Sequence, residues 1–141
     1  MFNKLLVVCV GNICRSPTGE ALLSKYCKNK IVISAGLSAL SGHNIDKMAK
    51  TVAHENGLIM GNHIAKQLTA DLCQENDLIL VMEKKHIDEI CKLAPECRGK
   101  IMLFGHWISQ EIPDPYKKSK EAFQHVYRIL DEAAVEWSTK L

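Results

Sequence analysis

Along most of the chain, short apolar runs alternate with longer stretches in which apolar residues recur every three or four positions. Leu5 to Val10 is an unbroken apolar run, the pattern of a strand covered on both faces. It predicts the first strand, and Pro17 to about Lys28 predicts the first helix, with proline placed to open it. Ile31 to Ser34 reads as a second strand, ended by Ala35-Gly36. Ile45 to Glu55 reads as a helix that stops at Gly57. A polar stretch with a short helix around Thr69 to Gln74 leads to a third strand, Leu78 to Met82. Lys84 to Leu93 predicts a helix ending before Pro95, and Ile101 to Phe104 a fourth strand. After a long loop through Pro113 and Pro115, the last helix runs from roughly Ser119 to Trp137. Ala122, Val126, Ile129, Leu130, Ala133 and Trp137 form its apolar face.

Alternating strands and helices argue for an α/β fold, a parallel sheet with helices on both faces. Ligands of such sheets sit beyond the carboxyl ends of the strands, near a switch in strand order. Four segments follow those ends: Cys9–Ser16, Ser34–Gly36, Met82–Glu83 and Gly105–Tyr116. They are far apart in sequence and expected to meet in space. The chain has 141 residues, 47% hydrophobic and 24% charged, which fits one globular domain over residues 1–141. A net charge of +2 and few aromatics give no footprint for nucleic acid. No apolar run approaches the roughly 18 residues that cross a membrane. Leu5 to Val10 lacks a following small-residue cleavage site, so cytoplasm is the expected location. The six cysteines include no C-x2-C pair, so reduced thiols and no metal are expected.

The chemistry concentrates in C-V-G-N-I-C-R-S, Cys9 to Ser16. A strand turning through a short loop into a helix leaves several backbone N–H groups unpaired and pointing one way. Those donors and the helix dipole attract an anion, and the same field favours a thiolate at Cys9. Arg15 adds a planar fork of donors matched to two oxygens of a phosphate. The loop thus holds a nucleophile and a tetrahedral oxyanion together. The plainer reading, a buried structural cysteine at a strand end, leaves Arg15 without a purpose. Nothing matches the nucleotide-binding G-x-x-x-x-G-K-[ST] loop.

Thiolate attack on a phosphate ester needs a general acid for the leaving oxygen. Asp114, in I-P-D-P-Y, is the candidate, its backbone restricted by Pro113 and Pro115. Asp beside proline is also a common turn residue. Tyr116 reads either as a wall for an aromatic ring or as a half-buried loop aromatic.

The segment V-C-V-G-N-I-C-R-S-P-T-G-E, with S-A-G at Ser34–Gly36 and a late M-L-F-G-H-W and P-D-P-Y-K-K-S, resembles the low-molecular-weight protein tyrosine phosphatases over nearly the whole chain. The late segments are similar to the bacterial branch that acts on tyrosine autokinases of capsule and exopolysaccharide export. The resemblance implies a flavodoxin-like three-layer sandwich around a four-stranded parallel sheet. It also implies a two-step reaction through a phosphocysteine, with no metal or cofactor. By matching motif, Cys9 is the nucleophile, Arg15 the phosphate clamp and Asp114 the acid and then the base. Backbone N–H groups of Val10, Gly11, Asn12, Ile13, Cys14 and Arg15 cradle the phosphoryl oxygens. Ser16 bonds the thiolate, and Asn12 with Ser34 and His63 holds the loop in shape; a surface histidine is the alternative for His63. Leu40 and Tyr116 are the expected pocket walls, suited to the length of phosphotyrosine. The implied partner is a phosphotyrosine protein, the tail of a membrane-associated bacterial tyrosine kinase, met by a monomer that itself does not insert into the membrane.

Three positions depart from the family pattern. Gly19 stands where alanine is usual, which should loosen the first helix by up to about 1 kcal/mol. Lys117 replaces the second tyrosine of animal members, and Glu83 replaces a common aspartate. Lys117, Lys118 and Lys120 read either as steering for an acidic, multiply phosphorylated tail or as a solvated helix start. Cys14 reads as a thiol that traps oxidised Cys9 as a disulfide, or as filler of a small apolar space. Two other functions fit parts of the pattern. An arsenate reductase would relay a disulfide through Cys73, Cys91 or Cys97, and a phosphotyrosine-binding module would lack turnover.

Overall fold

The computed structural model describes residues 2–141. In chain order the elements are β1 (Lys4–Cys9), α1 (Arg15–Tyr26), β2 (Ile31–Gly36), α2 (Lys47–Glu55), α3 (Ala70–Glu75), β3 (Leu78–Val81), α4 (Lys84–Leu93), β4 (Ile101–Leu103) and α5 (Lys120–Lys140). The sheet order is β2-β1-β3-β4 and every pairing is parallel. The chain leaves β1 to one side for β2 and later returns to its other side for β3. The switch in strand order therefore falls at the carboxyl end of β1, where such sheets hold their ligands.

Successive residues of β1 point to opposite faces, and the core divides accordingly. Leu5, Val7 and Cys9 pack with Leu22 of α1 and Leu130 and Trp137 of α5. Leu6 and Val8 pack with Cys73 of α3 and Ile90 of α4. The result is the three-layer sandwich the alternation predicts. Trp137 also donates its indole N–H to the carbonyl of Phe104 at 2.8 Å, which fixes α5 against the end of β4.

Element boundaries shift from the sequence expectation for local reasons. Helix α1 begins at Arg15, and Pro17 sits third in its first turn, where a missing N–H costs no helical bond. Asp46, Thr69 and Ser119 cap α2, α3 and α5 with their side-chain oxygens, so those helices start one residue after each cap. Strand β2 continues through Ala35 and Gly36 because both still pair with β1. Short 3₁₀ turns at Pro95–Lys100 and His106–Ile108 were not anticipated.

Packing adds a second consideration at Gly19. A Cβ there would meet the Phe104 ring at 3.0 Å and Val7 at 3.2 Å. Glycine lets α1 lie close on the sheet, so the helix propensity that alanine would add is opposed by crowding against Phe104 and Val7.

Candidate functional site

Between β1 and α1 the chain bends through Asn12, whose φ of 58° is left-handed. Asparagine tolerates that region better than most residues. Asn12 is fully buried, and its Oδ1 accepts the Lys66 N–H at 3.0 Å. That bond fixes the amide's orientation, so its nitrogen faces two hydroxyls, Ser16 Oγ at 2.7 Å and Ser34 Oγ at 3.0 Å. The Asn12 carbonyl accepts from His63 Nε2 at 2.6 Å, which places a proton on that nitrogen. Each hydroxyl, having accepted from the amide, has its own proton to give. Ser34 donates to Glu20 Oε1 at 2.7 Å. Ser16 Oγ lies 3.0 Å from Cys9 Sγ, and once Cys9 is a thiolate the hydroxyl is the donor of that pair. A directed chain thus runs from Lys66 through Asn12 and Ser16 to Cys9.

Arg15 is 2% exposed. Its Nη1 donates to Glu83 Oε2 at 2.7 Å and to the Ile112 carbonyl at 2.8 Å, while Nη2 lies 3.8 Å from Asp114 Oδ2. One nitrogen is anchored to the scaffold, and the opposite edge of the guanidinium is left for the pocket. Burial resists ionisation of Glu83, but the Arg15 hydrogen bond and charge outweigh it and hold the carboxyl below its usual range. His86 Nδ1 accepts the Glu83 N–H at 3.2 Å, so its proton sits on Nε2, 3.6 Å from Glu83 Oε2. Burial, with the Arg15 charge, pushes the His86 imidazole down, and it stays neutral. Among the described residues that buried Nε2 makes no hydrogen bond.

Asp114 is a turn residue that also lines the cavity. Its Oδ1 accepts the Tyr116 N–H at 3.0 Å, a turn bond, and its half-exposed Oδ2 faces Arg15. Cys9, Val10, Gly11, Ile13, Cys14, Arg15, Ser38, Leu40, Asp114 and Tyr116 line a cavity of about 160 Å³. A void of about 150 Å³ holds one benzene ring. Leu40 and Tyr116, both partly exposed, stand at its mouth.

Cys14 borders this cavity and also a small apolar void with Val52, Phe123 and Leu130. Burial, with the charges of Asp46, Cys9 and Asp114 adding, pushes its thiol up and keeps it protonated. Cys73 and Cys97 belong to the core on the opposite face of the sheet, and Cys91 borders that same core. Cys9 belongs to the other core, so the structure does not gather these cysteines with it as the arsenate alternative requires. Among the described residues no group of three or more His, Cys, Asp and Glu is arranged to hold a metal ion.

Sequence reasoning missed Glu20, His86 and the Ile112 carbonyl. Glu20 was findable: it lies four residues after Ser16 on a helix and so shares its face. His86 stands three residues after Glu83, the spacing of a helix-capping pair, whereas the Ile112 carbonyl carries no signal before the strands are assembled.

The low molecular weight phosphotyrosine protein phosphatase family matches residues 4–141. Probable low molecular weight protein-tyrosine-phosphatase AmsI of Erwinia amylovora is 56% identical over 142 residues, 100% of this chain and 99% of AmsI. Its crystal structure superposes with a TM-score of 0.98, covering 100% of this chain and 94% of that one. Low molecular weight protein-tyrosine-phosphatase Wzb of Escherichia coli K12 is 54% identical, over 100% of this chain and 97% of Wzb. Vibrio vulnificus Wzb, solved in complex with benzylphosphonate, has a TM-score of 0.98 at 56% identity and full coverage of both chains. With identity at this level end to end, the chain belongs to the low molecular weight phosphotyrosine protein phosphatase family and is a protein-tyrosine-phosphatase of the Wzb and AmsI type.

Proposed function

We propose that the protein hydrolyses phosphotyrosine through a phosphocysteine on Cys9. The observation that carries this reading is the 3.0 Å contact of Ser16 Oγ with Cys9 Sγ in a cavity that Arg15 and Asp114 also line. The thiolate attacks phosphorus, and the bond from phosphorus to the tyrosine oxygen breaks as Asp114 gives that oxygen its proton. Arg15 and the loop amides hold the equatorial oxygens, where charge is greatest. Water then attacks the phosphocysteine while the Asp114 carboxylate takes its proton. The S–P bond breaks, and phosphate leaves with the thiolate restored. The Ser16 hydroxyl stabilises that departing sulfur.

Cavity size supports an aromatic ester, and so does the benzylphosphonate taken by the Vibrio relative, whose phosphonate is one CH₂ from a phenyl ring. Serine phosphate is shorter and does not bring phosphorus to Cys9. The proposed physiological substrate is the phosphotyrosine tail of a membrane-associated bacterial tyrosine kinase that controls exopolysaccharide or capsule production, met in the cytoplasm by a monomer. The chain's own helices include none long and apolar enough to cross a membrane among the described residues.

Hydrolysis of p-nitrophenyl phosphate and of phosphotyrosine peptides tests the mechanism. Cys9→Ser is expected to lose turnover by about 10⁴-fold or more. Asp114→Ala is expected to lose about 10²–10⁴-fold. Wild-type rates in Cys9→Ser, or equal cleavage of phosphoserine and phosphotyrosine peptides, would contradict the proposal. Tight peptide binding without turnover in the unaltered protein would favour the binding-module reading.

A further inference from the structure

Lys117 and Lys120 look equivalent in sequence, but the fold separates them. Lys120 is committed elsewhere, its ammonium 2.8 Å from Glu55 on α2. Lys117 has a left-handed backbone, φ 61°, a conformation that residues other than glycine keep only where their surroundings hold it. Its ammonium lies 5.4 Å from the centre of the Tyr116 ring, the aromatic at the cavity mouth. Among the described residues it makes no ion pair. The carboxylate nearest in sequence, Asp114, turns one oxygen to the Tyr116 N–H and the other toward Arg15.

A peptide with its phosphotyrosine in the cavity places its neighbouring residues at this rim. A cation parked on Tyr116 attracts an acidic neighbour there and repels a basic one. We propose that Lys117 selects phosphotyrosines flanked by a second negative charge, a carboxylate side chain or another phosphotyrosine. The inference rests on the phosphotyrosine hydrolysis proposed above and names the substrate class of that same site. Tyr116 holds the ammonium in place through its ring face, so selection comes from a fixed charge and not from a general field.

The test compares kcat/KM for peptides whose phosphotyrosine is flanked by Glu, by Ala, by Lys or by a second phosphotyrosine. The enzyme is used unaltered and as Lys117→Gly, which suits the left-handed backbone, and Lys117→Glu. p-Nitrophenyl phosphate, which has no flanks, serves as the control. The unaltered enzyme is expected to favour Glu over Lys flanks, with Lys117→Gly cutting that ratio about two- to fivefold and Lys117→Glu inverting it. Rates on p-nitrophenyl phosphate should stay level across the three, and added salt should shrink the ratio. The Glu and phosphotyrosine arms show which anion is read better. Unchanged ratios in both variants, or charge-blind peptides in an enzyme that cleaves p-nitrophenyl phosphate, would overturn this inference alone. No hydrolysis of p-nitrophenyl phosphate by the unaltered enzyme would overturn the phosphatase mechanism and this inference with it.

Discussion

Asn12 is buried, with its amide and carbonyl atoms all bonded to residues as distant as Lys66. Asp114, on the other wall of the cavity, is half exposed, with one turn bond to Tyr116 and a 3.8 Å approach to Arg15. The nucleophile is held by an interlocked network that spans three segments of the chain. The acid is held locally, by two prolines and a single hydrogen bond. The difference suits their tasks. Sulfur must meet phosphorus within a narrow range of position, whereas the acid must reach leaving oxygens that vary between substrates. Fixed and compliant halves share Arg15, whose one nitrogen is anchored to Glu83 and whose other faces Asp114.

Removing the keystone of the fixed half should have the largest effect. Asn12→Ala leaves Ser16 and Ser34 without their donor and puts alanine in a left-handed position. The expected loss is about 2–4 kcal/mol of stability, read from the urea midpoint, with turnover falling in parallel. A variant as stable and active as the parent would show that the network is not what shapes the loop.

Glu83→Gln probes the shared arginine and should cost less, about 1–2 kcal/mol at neutral pH. The sign with pH follows from the depressed carboxyl. Its stabilisation is present above the usual value of 4.5 and is lost as pH falls through the lower folded value. The parent should therefore lose stability in acid more steeply than Glu83→Gln. The neutral His86 adds to the slope in both proteins, because the unfolded chain takes a proton below 6.5 and the folded one resists it. Parallel acid limbs for the two proteins would show that Arg15 does not depend on this carboxylate.

Cys14→Ser should change basal turnover least. Burial keeps Cys14 protonated and so protects it from being oxidised first, while its place beside Cys9 in the same cavity leaves it within the loop where an oxidised Cys9 would form. Peroxide followed by thiol should restore the parent and fail to restore the variant. Equal recovery would leave Cys14 as filler of the apolar void it borders.

The architecture was legible because Leu5–Val10 and Leu78–Met82 are unbroken apolar runs and the last helix shows one apolar face. The loop was legible because its residues are contiguous. Glu83, 68 residues from Arg15, was marked as a departure from the family, and its bond to Nη1 waited on β1 lying beside β3. His86 gave no sign of its burial, although its bond to the Glu83 N–H three residues earlier is a local helix-capping pattern. Gly19 was legible only in part. Helix propensity is visible in sequence, whereas the Phe104 ring against it is not.

Rapid acid quench during turnover of an aryl phosphate, with mass spectrometry of the digested protein, tests the phosphocysteine most directly. One phosphoryl group on the peptide that carries Cys9 is expected, lost on further incubation and missing from Cys9→Ser. A phosphoryl group on any other residue, or steady turnover with none on the protein, would contradict the mechanism.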